Sequence, residues 1–327
     1  MLNPNHESHF NKTPYFAYTN TIGKHLQATD MRRVVHVGPL MAPGGMSSVI
    51  KLLAANPPEG WRASSCNTYS RRGKLQKLKR WRIARNEIKS GDFDLVHIHC
   101  ASDWSYKRKL SIAKVANAPV IFHIHSGRFD IDTKSDLDNY HVVCLSKSWS
   151  ERLKPLIGDS ISVPNPVSPV PQEDVERERF TLMMGRNDPV KGHAFAYSLG
   201  LDDLRVTGVE DAPEGVTALG WVSEDEKWRL LQSAGCLIVP SEYEGQPMVI
   251  LEALSVGCPV VASSNIPDLP DCVKVVELND KSSWKDAIEN PITQGLEESV
   301  AKHHVDIVSK QWGEIYDRII DSSASTE

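Results

Sequence analysis

Residues 241–261 read Ser-Glu-Tyr-Glu-Gly-Gln-Pro-Met-Val-Ile-Leu-Glu-Ala-Leu-Ser-Val-Gly-Cys-Pro-Val-Val, and they constrain the fold more than any other stretch. An apolar strand predicted over 236–239 runs into a turn carrying Glu242 and Glu244. Pro247 suits the first position of a helix, where its missing N–H costs nothing. The helix carries a third carboxylate, Glu252, and Gly257 ends it. A second apolar strand, 259–262, follows at once. A helix N-terminus therefore faces the carboxyl end of a strand, the place where open α/β sheets bind ligands. Such an N-terminus attracts phosphate. Glu244 in the loop and Glu252 inside the helix are spaced to grip two different parts of one extended ligand.

The rest of the chain repeats this alternation. Strands are predicted over 33–37, 94–99, 120–124 and 141–145, with helical patterns at 46–54, 107–116 and 147–153, the last capped by Ser146. The second half places strands at 180–184, 204–207, 236–239 and 259–262. Alternating strands and helices point to doubly wound parallel sheets. Between Pro164 and Asp174 four prolines make a stiff connector, so the domain boundary is placed there. The expected layout is a polar arm over 1–30, one Rossmann-like domain over 31–168, a second over 169–305 and a helix over 306–327. Trp312, Ile315, Tyr316 and Ile319 give that helix one apolar face.

Charge divides the halves. Residues 31–150 carry net +11 and residues 151–327 net −16, within a total of −5. Halves so different in charge suit different partners. The six cysteines are scattered, without a C-x-x-C pair, which favours small buried hydrophobes in a reducing cytoplasm over a disulfide framework or a zinc site. No apolar run is long enough for a transmembrane helix, and the arm lacks the apolar core of a signal peptide.

After the predicted strand 180–184 comes Gly185-Arg186-Asn187-Asp188-Pro189-Val190-Lys191-Gly192. Arg186 and Lys191 offer two cations at a strand's carboxyl end, one forked and one a point charge. No Gly-Lys-Ser/Thr follows, so this is not a P-loop. Taken alone, the loop reads better as two solvated surface bases.

Together these motifs resemble the nucleotide-sugar half of the retaining family 4 glycosyltransferases, the "group 1" family with the GT-B fold. They are Gly185-Arg186 to Lys191-Gly192, then Gly220-Trp221-Val222-Ser223, then Glu244 to Glu252. Upstream, Gly44-Gly45 resembles the family's first glycine-rich loop, and Asp94-Leu-Val-His97-Ile-His99 its D-V-H-x-H strand. Val120 to Ser126 resembles the strand ending in the family's histidine, here His125, and Ser146 and Val163-Pro-Asn165 match two further landmarks. The resemblance runs in order from about 33 to 320 and implies an α/β GT-B enzyme, two Rossmann-like domains facing across a cleft.

It also implies roles. Arg186 and Lys191 would bind the donor's diphosphate, and Glu252 the ribose hydroxyls. Glu244 would contact the transferred sugar, and His125 would reach that sugar from across the cleft. Gly45 would allow close backbone approach, N–H groups around Met248 and Val249 would meet phosphate, and Val222 would touch the base. The donor would be a UDP- or GDP-sugar and the acceptor a glycan or lipid-linked glycan, with no metal or other cofactor. The final helix would cross back to the first domain. Three departures stand out. Gln246-Pro247 replaces the family's Phe-Gly, which bears on the sugar pocket; Pro166 replaces a glycine; and the segment 191–220 is short, leaving His193 and Phe195 without a role.

Other features invite other readings. His97 and His99, like His123 and His125, share one strand face. Two such pairs on neighbouring strands would gather four imidazoles, as in a metal-dependent hydrolase. The simpler expectation is strand-end histidines of which His125 alone is functional, and stoichiometric zinc would count against the transferase. Arg71 to Arg82 has seven bases and no acid, with Leu75, Leu78 and Trp81 at helical spacing. An anionic membrane surface or lipid-linked acceptor is preferred for it, ahead of a solvated basic face, with no nucleic acid partner. The protein would then be cytoplasmic and peripheral on the inner face of the cell membrane. Glu224-Asp-Glu226 reads as a helix N-cap cluster, and Tyr243 and Trp221 as packing residues. A catalytically idle GT-B-like binding protein is the remaining alternative.

Overall fold

The structure, a computed structural model, describes residues 31–101, 103–126, 133–168, 170 and 175–324. The arm expected over 1–30 lies outside the described residues. So do residue 169, where the domain boundary was placed, and 171–174 of the connector.

The first half runs β1 (Arg32–Gly38), α1 (Gly45–Ala55), β2 (Trp61–Asn67), α2 (Lys74–Ser90), β3 (Leu95–Cys100) and α3 (Asp103–Ala113). It continues through β4 (Val120–Ile124), α4 (Lys134–Leu137), β5 (His141–Cys144), α5 (Lys147–Ile157) and β6 (Ile161–Ser162). The second half runs β7 (Thr181–Met184), α6 (His193–Ser198), β8 (Leu204–Thr207), β9 (Val216–Ala218), α7 (Glu224–Ser233) and β10 (Cys236–Val239). Then come α8 (Met248–Ser255), β11 (Val260–Ser263), β12 (Lys274–Val276), α9 (Lys281–Glu289), α10 (Leu296–Ser299) and α11 (Val305–Ala324).

The strands form two six-stranded sheets, ordered β2-β1-β3-β4-β5-β6 and β12-β11-β10-β7-β8-β9. Every pairing is parallel. Inner strands such as β3, Leu-Val-His-Ile-His-Cys, are buried at every residue because helices cover both faces. The order reverses between β1 and β3 in one sheet and between β7 and β10 in the other. Those two points are where ligands bind in open α/β sheets.

Local chemistry sets the helix ends. Ser146 Oγ accepts from Trp149 N, and Ser223 Oγ from Glu226 N, so both act as N-caps. Pro247 is itself the N-cap of α8, one position earlier than expected, and the helix starts at Met248. Helix α5 continues to Ile157 with Pro155 inside it, past the end expected at 153.

The last helix packs on the first half. Trp312 lies 4.3 Å from the ring of His97, and Tyr316 lies 5.1 Å from Trp61, centroid to centroid. Asp317 accepts from both Arg32 and Trp61 Nε1. The apolar face of α11 is spent on this contact. Trp312→Ala is expected to cost about 3–5 kcal/mol, read as a lower urea midpoint. An unchanged midpoint would show that α11 does not hold the halves together.

Candidate active site

The loop after β7 and the loop after β10 meet at the second sheet's switch point. Glu242 N donates to Val190 O at 2.8 Å, which ties the two loops together. Lys191 Nζ donates to Glu244 Oε1 at 2.5 Å, and Ser241 Oγ donates to the same oxygen at 2.8 Å. Gly192 makes this crossing possible. It sits at φ 79°, and a Cβ there would come within 2.1 Å of the Pro240 carbonyl oxygen.

The first half supplies the opposite wall. A Cβ on Gly45 would lie 3.1 Å from Met248 Cγ, so the N-termini of α1 and α8 converge. Neither helix has an acid in its first turn or a side-chain cap. Two positive dipole ends therefore meet, and Glu244, which holds the Lys191 ammonium, lies four residues before Met248 at the start of α8. On the same wall, Gly245 packs against the backbone of His125, where a Cβ would sit 2.6 Å from the carbonyl oxygen. His125 and the Glu244 loop are thus adjacent across the cleft.

The structure does not bring every expected residue to this point. Arg186 is half exposed and pairs with Asp188 at 3.0 Å rather than facing Lys191 or Glu244. Glu252 is almost fully buried, and its Oε1 accepts from Lys227 Nζ at 2.7 Å. Burial pushes the Glu252 carboxyl up from its usual range, against the pull of Lys227, which also pairs with Glu224. Lys227 was not anticipated: within Glu224-Asp-Glu-Lys it reads as a surface charge until Glu252 is buried against it. Val222 is half-buried against the core, and Val249 is half-buried beside Met248. Trp221, expected to pack, is 60% exposed. Tyr243 does pack, edge-on to Trp149 at 6.1 Å.

The side chain of Gln246 is engaged with the first half, since its Oε1 accepts from Asn165 N at 2.6 Å. Asn165 Nδ2 in turn donates to the Gln246 carbonyl. This departure from the family pattern therefore tethers the α8 loop to the start of the connector. A cavity of about 300 Å³ borders Gln246 and Pro247, but Lys191 and Glu244 do not line it.

The histidines do gather on one face of the first sheet, and His36 on β1 joins them. His36 pairs in register with His97, and His99 with His123. His36 Nδ1 lies 3.0 Å from His99 Nε2, and His99 Nδ1 lies 2.9 Å from His125 Nε2. A second run links Tyr316 Oη to His97 at 2.7 Å and His97 to His123 at 3.3 Å. Each N–H···N contact uses one proton and one lone pair, so neutral rings satisfy both runs in a single direction. Burial pushes His36 and His125 down to about 3. One nitrogen from each of His36, His97 and His99, or of His99, His123 and His125, lies within 4.8 Å of the others, which is close enough to ligate an ion. Among the described residues no carboxylate joins either group.

Two sheets whose switch points face each other across a cleft define the GT-B fold. Residues 185–294, which carry Lys191, Glu244 and Glu252, match the family model described as Glycosyl transferases group 1. A stretch of 80 residues is 39% identical to O-antigen chain mannosyltransferase B of Escherichia coli, covering 24% of this chain and 21% of that protein. The match thus spans about a fifth of the relative's length. The fold is similar to sucrose-phosphate synthase from Thermosynechococcus elongatus, with a TM-score of 0.69 at 17% identity over 89% of this chain and all of that one. It is also similar to the apo form of the lipopolysaccharide outer core galactosyltransferase WaaB, with a TM-score of 0.56 at 17% identity over 88% of this chain and 99% of that one. At such identities these two likenesses speak for the fold alone.

Proposed function

We propose that this chain is a retaining glycosyltransferase that moves a sugar from a nucleoside-diphosphate sugar to an acceptor held by the first half. The observation that carries this is the meeting of the α1 and α8 N-termini, with the Lys191–Glu244 pair in the loop that leads into α8. A diphosphate leaving group gains negative charge as the bond from its oxygen to the anomeric carbon breaks. Lys191 and two helix N-termini stabilise that charge without a metal ion, and Arg186 swings from Asp188 to join them. Glu252 takes the ribose hydroxyls, Val222 lies beside the base, and Glu244 faces the oxocarbenium-like sugar. The acceptor oxygen bonds to the anomeric carbon on the face the diphosphate leaves, its proton passes to the departing phosphate oxygen, and configuration is retained.

His125 contributes as a neutral imidazole, with Nε2 held by His99 and Nδ1 left for the sugar. The first two turns of α2 are exposed, with Leu75 at 83% and Leu78 at 42%, beside lysines and arginines that have no acid among them. That face suits an anionic membrane surface and a lipid-linked glycan acceptor, and it supports a peripheral position on the cytoplasmic side of a membrane. Among the described residues no helix is long and apolar enough to cross a membrane.

The test is a sugar-release assay over UDP-, GDP- and ADP-sugars, with and without membrane extract and with and without a chelator. Release stimulated by extract and unaffected by the chelator is expected. Binding of nucleoside diphosphates without release from any donor would leave an idle binding protein. Stoichiometric metal in the purified protein, with activity lost on chelation, would instead assign the histidine groups a metal.

A further inference from the structure

We infer that the first half holds a second anion site, centred on Lys109, that takes a phosphate or diphosphate group of the acceptor. This rests on the transferase reading above for the word acceptor, though not for the site itself. Lys109 on α3 is only 4% exposed, yet its side-chain hydrogen bond is to a neutral group, Ser105 Oγ at 3.1 Å. Among the described residues it has no carboxylate within ion-pair distance. A buried cation without a counter-charge costs several kcal/mol. Burial accordingly lowers its pKa, and Arg108 lowers it further. Such a group is retained at a stability cost when a ligand completes it.

Lys109 borders a cavity of about 130 Å³ whose wall also includes Lys77 on α2 and Arg108, with Thr68 and Ser70 as neutral donors. Among the described residues its lining contains three cations and no carboxylate. Three cations match the two or more charges of a phosphate better than the single charge of a carboxylate. The place in the fold is right for a substrate. Thr68 N donates to the Gly38 carbonyl at 2.8 Å, so the cavity opens at the carboxyl ends of β1 and β2, the ligand edge of the sheet. The charge of Lys109 is also felt at His125, whose pKa it helps to lower. An anion seated there lies within electrostatic reach of the proposed reaction centre. Lys77 shares α2 with exposed Leu75 and Leu78, so a phosphate carrying a hydrocarbon chain finds its cation and its apolar face on one helix.

The probe is inorganic pyrophosphate, titrated by calorimetry into the full chain. Binding is expected in the wild type and in the Arg186→Ala/Lys191→Ala double variant, which removes the cations of the proposed donor site. Lys109→Met, nearly isosteric, and Arg108→Gln, at an exposed position, are each expected to weaken it at least tenfold in that background. Lys109→Met is also expected to keep or raise the thermal midpoint, since it deletes a buried charge that no described carboxylate compensates. UDP or GDP affinity is expected to be unchanged in Lys109→Met. If no nucleotide binds, the donor reading fails while the pyrophosphate result still judges this site. Wild-type pyrophosphate affinity in Arg108→Gln and Lys109→Met would overturn the inference, and Arg108→Gln alone decides it should Lys109→Met not fold. Vesicles of phosphatidic acid against phosphatidylglycerol at equal charge, beside soluble glycerol 3-phosphate, separate the sources. Lys109-dependent preference for phosphatidic acid assigns a membrane-borne phosphate; Lys109-dependent binding of the soluble monoester alone assigns a free one. Absence of any Lys109 dependence in all three arms counts against the site.

Discussion

Lys191→Ala is expected to lower sugar release by about 10²- to 10³-fold and to weaken nucleoside-diphosphate binding, whereas Glu244→Ala should lower release with binding intact or tighter. The asymmetry follows from the bond between them. Lys191 Nζ sits 2.5 Å from Glu244 Oε1 in the unliganded site, so the carboxylate competes with phosphate for the ammonium. Both groups are largely buried, with side-chain exposures of 25% and 13%, where charge pairing is worth more than at the surface. Removing Lys191 takes away a charge that strengthens its contact as the diphosphate departs. Removing Glu244 frees Lys191 for the ground-state phosphate but leaves the developing positive charge on the sugar without a carboxylate. Release kinetics and calorimetry with UDP and GDP measure the two effects separately. Parallel losses in both variants would mean that the pair is a structural tether rather than a division of labour.

The second large effect is acid sensitivity. His36, His97, His99, His123 and His125 are held neutral in the folded chain, primarily by burial, with His36 and His125 pushed to about 3 and the others well below their ordinary value. In the unfolded chain each takes a proton near pH 6.5. The unfolded state therefore binds more protons throughout the interval below pH 6.5, and stability rises with pH there. The contribution is full above pH 6.5 and is lost as pH falls toward 3. Each such histidine removes about 1.4 kcal/mol per pH unit, so five remove up to about 7. Against a total of about 5–15 kcal/mol, that unfolds the chain between about pH 6 and 4.

The groups facing the cluster do not offset this. Tyr316 Oη and Trp312 are neutral, and Lys109 disfavours a further positive charge at His125. Urea midpoints from pH 7.5 to 4.5 give the number of protons taken up, and a His97→Gln/His123→Gln variant should show a slope shallower by about two. Uptake of fewer than two protons at pH 5.5 in the wild type would show that the cluster is charged or metal-bound in the folded state.

What could be read along the chain was its interior. The strands anticipated correspond to β1, β3, β4, β5, β7, β8, β10 and β11, the inner strands of the two sheets. The four that were missed, β2, β6, β9 and β12, are all edges. An inner strand of a covered parallel sheet is an unbroken apolar run, whereas an edge such as Trp61–Asn67 is half solvated and reads as loop. In the same way, the glycine at 45, the cation at 191 and the acid at 244 were visible because turn and helix-start chemistry marks them locally. Their partners were not. Lys227 and His36 lie 25 and 63 residues from the groups they meet, Glu252 and His99. Nothing in local spacing distinguishes them from ordinary surface or core residues. Gln246 was expected to bear on the sugar pocket, yet its amide oxygen is taken by Asn165 N, a contact between residues 81 apart.

The sequence by itself determined two doubly wound sheets and, to within one residue, the helix start after Gln246, because periodicity, glycines and prolines act over a few residues. Only the tertiary structure decided what those parts meet. It set two helix N-termini against each other, buried Glu252 on Lys227, locked five histidines into hydrogen-bonded runs and left Lys109 in a cavity with no counter-charge among the described residues. These depend on strand order and on where α11 folds back, and burial then sets the charge state of each group, which no local pattern encodes.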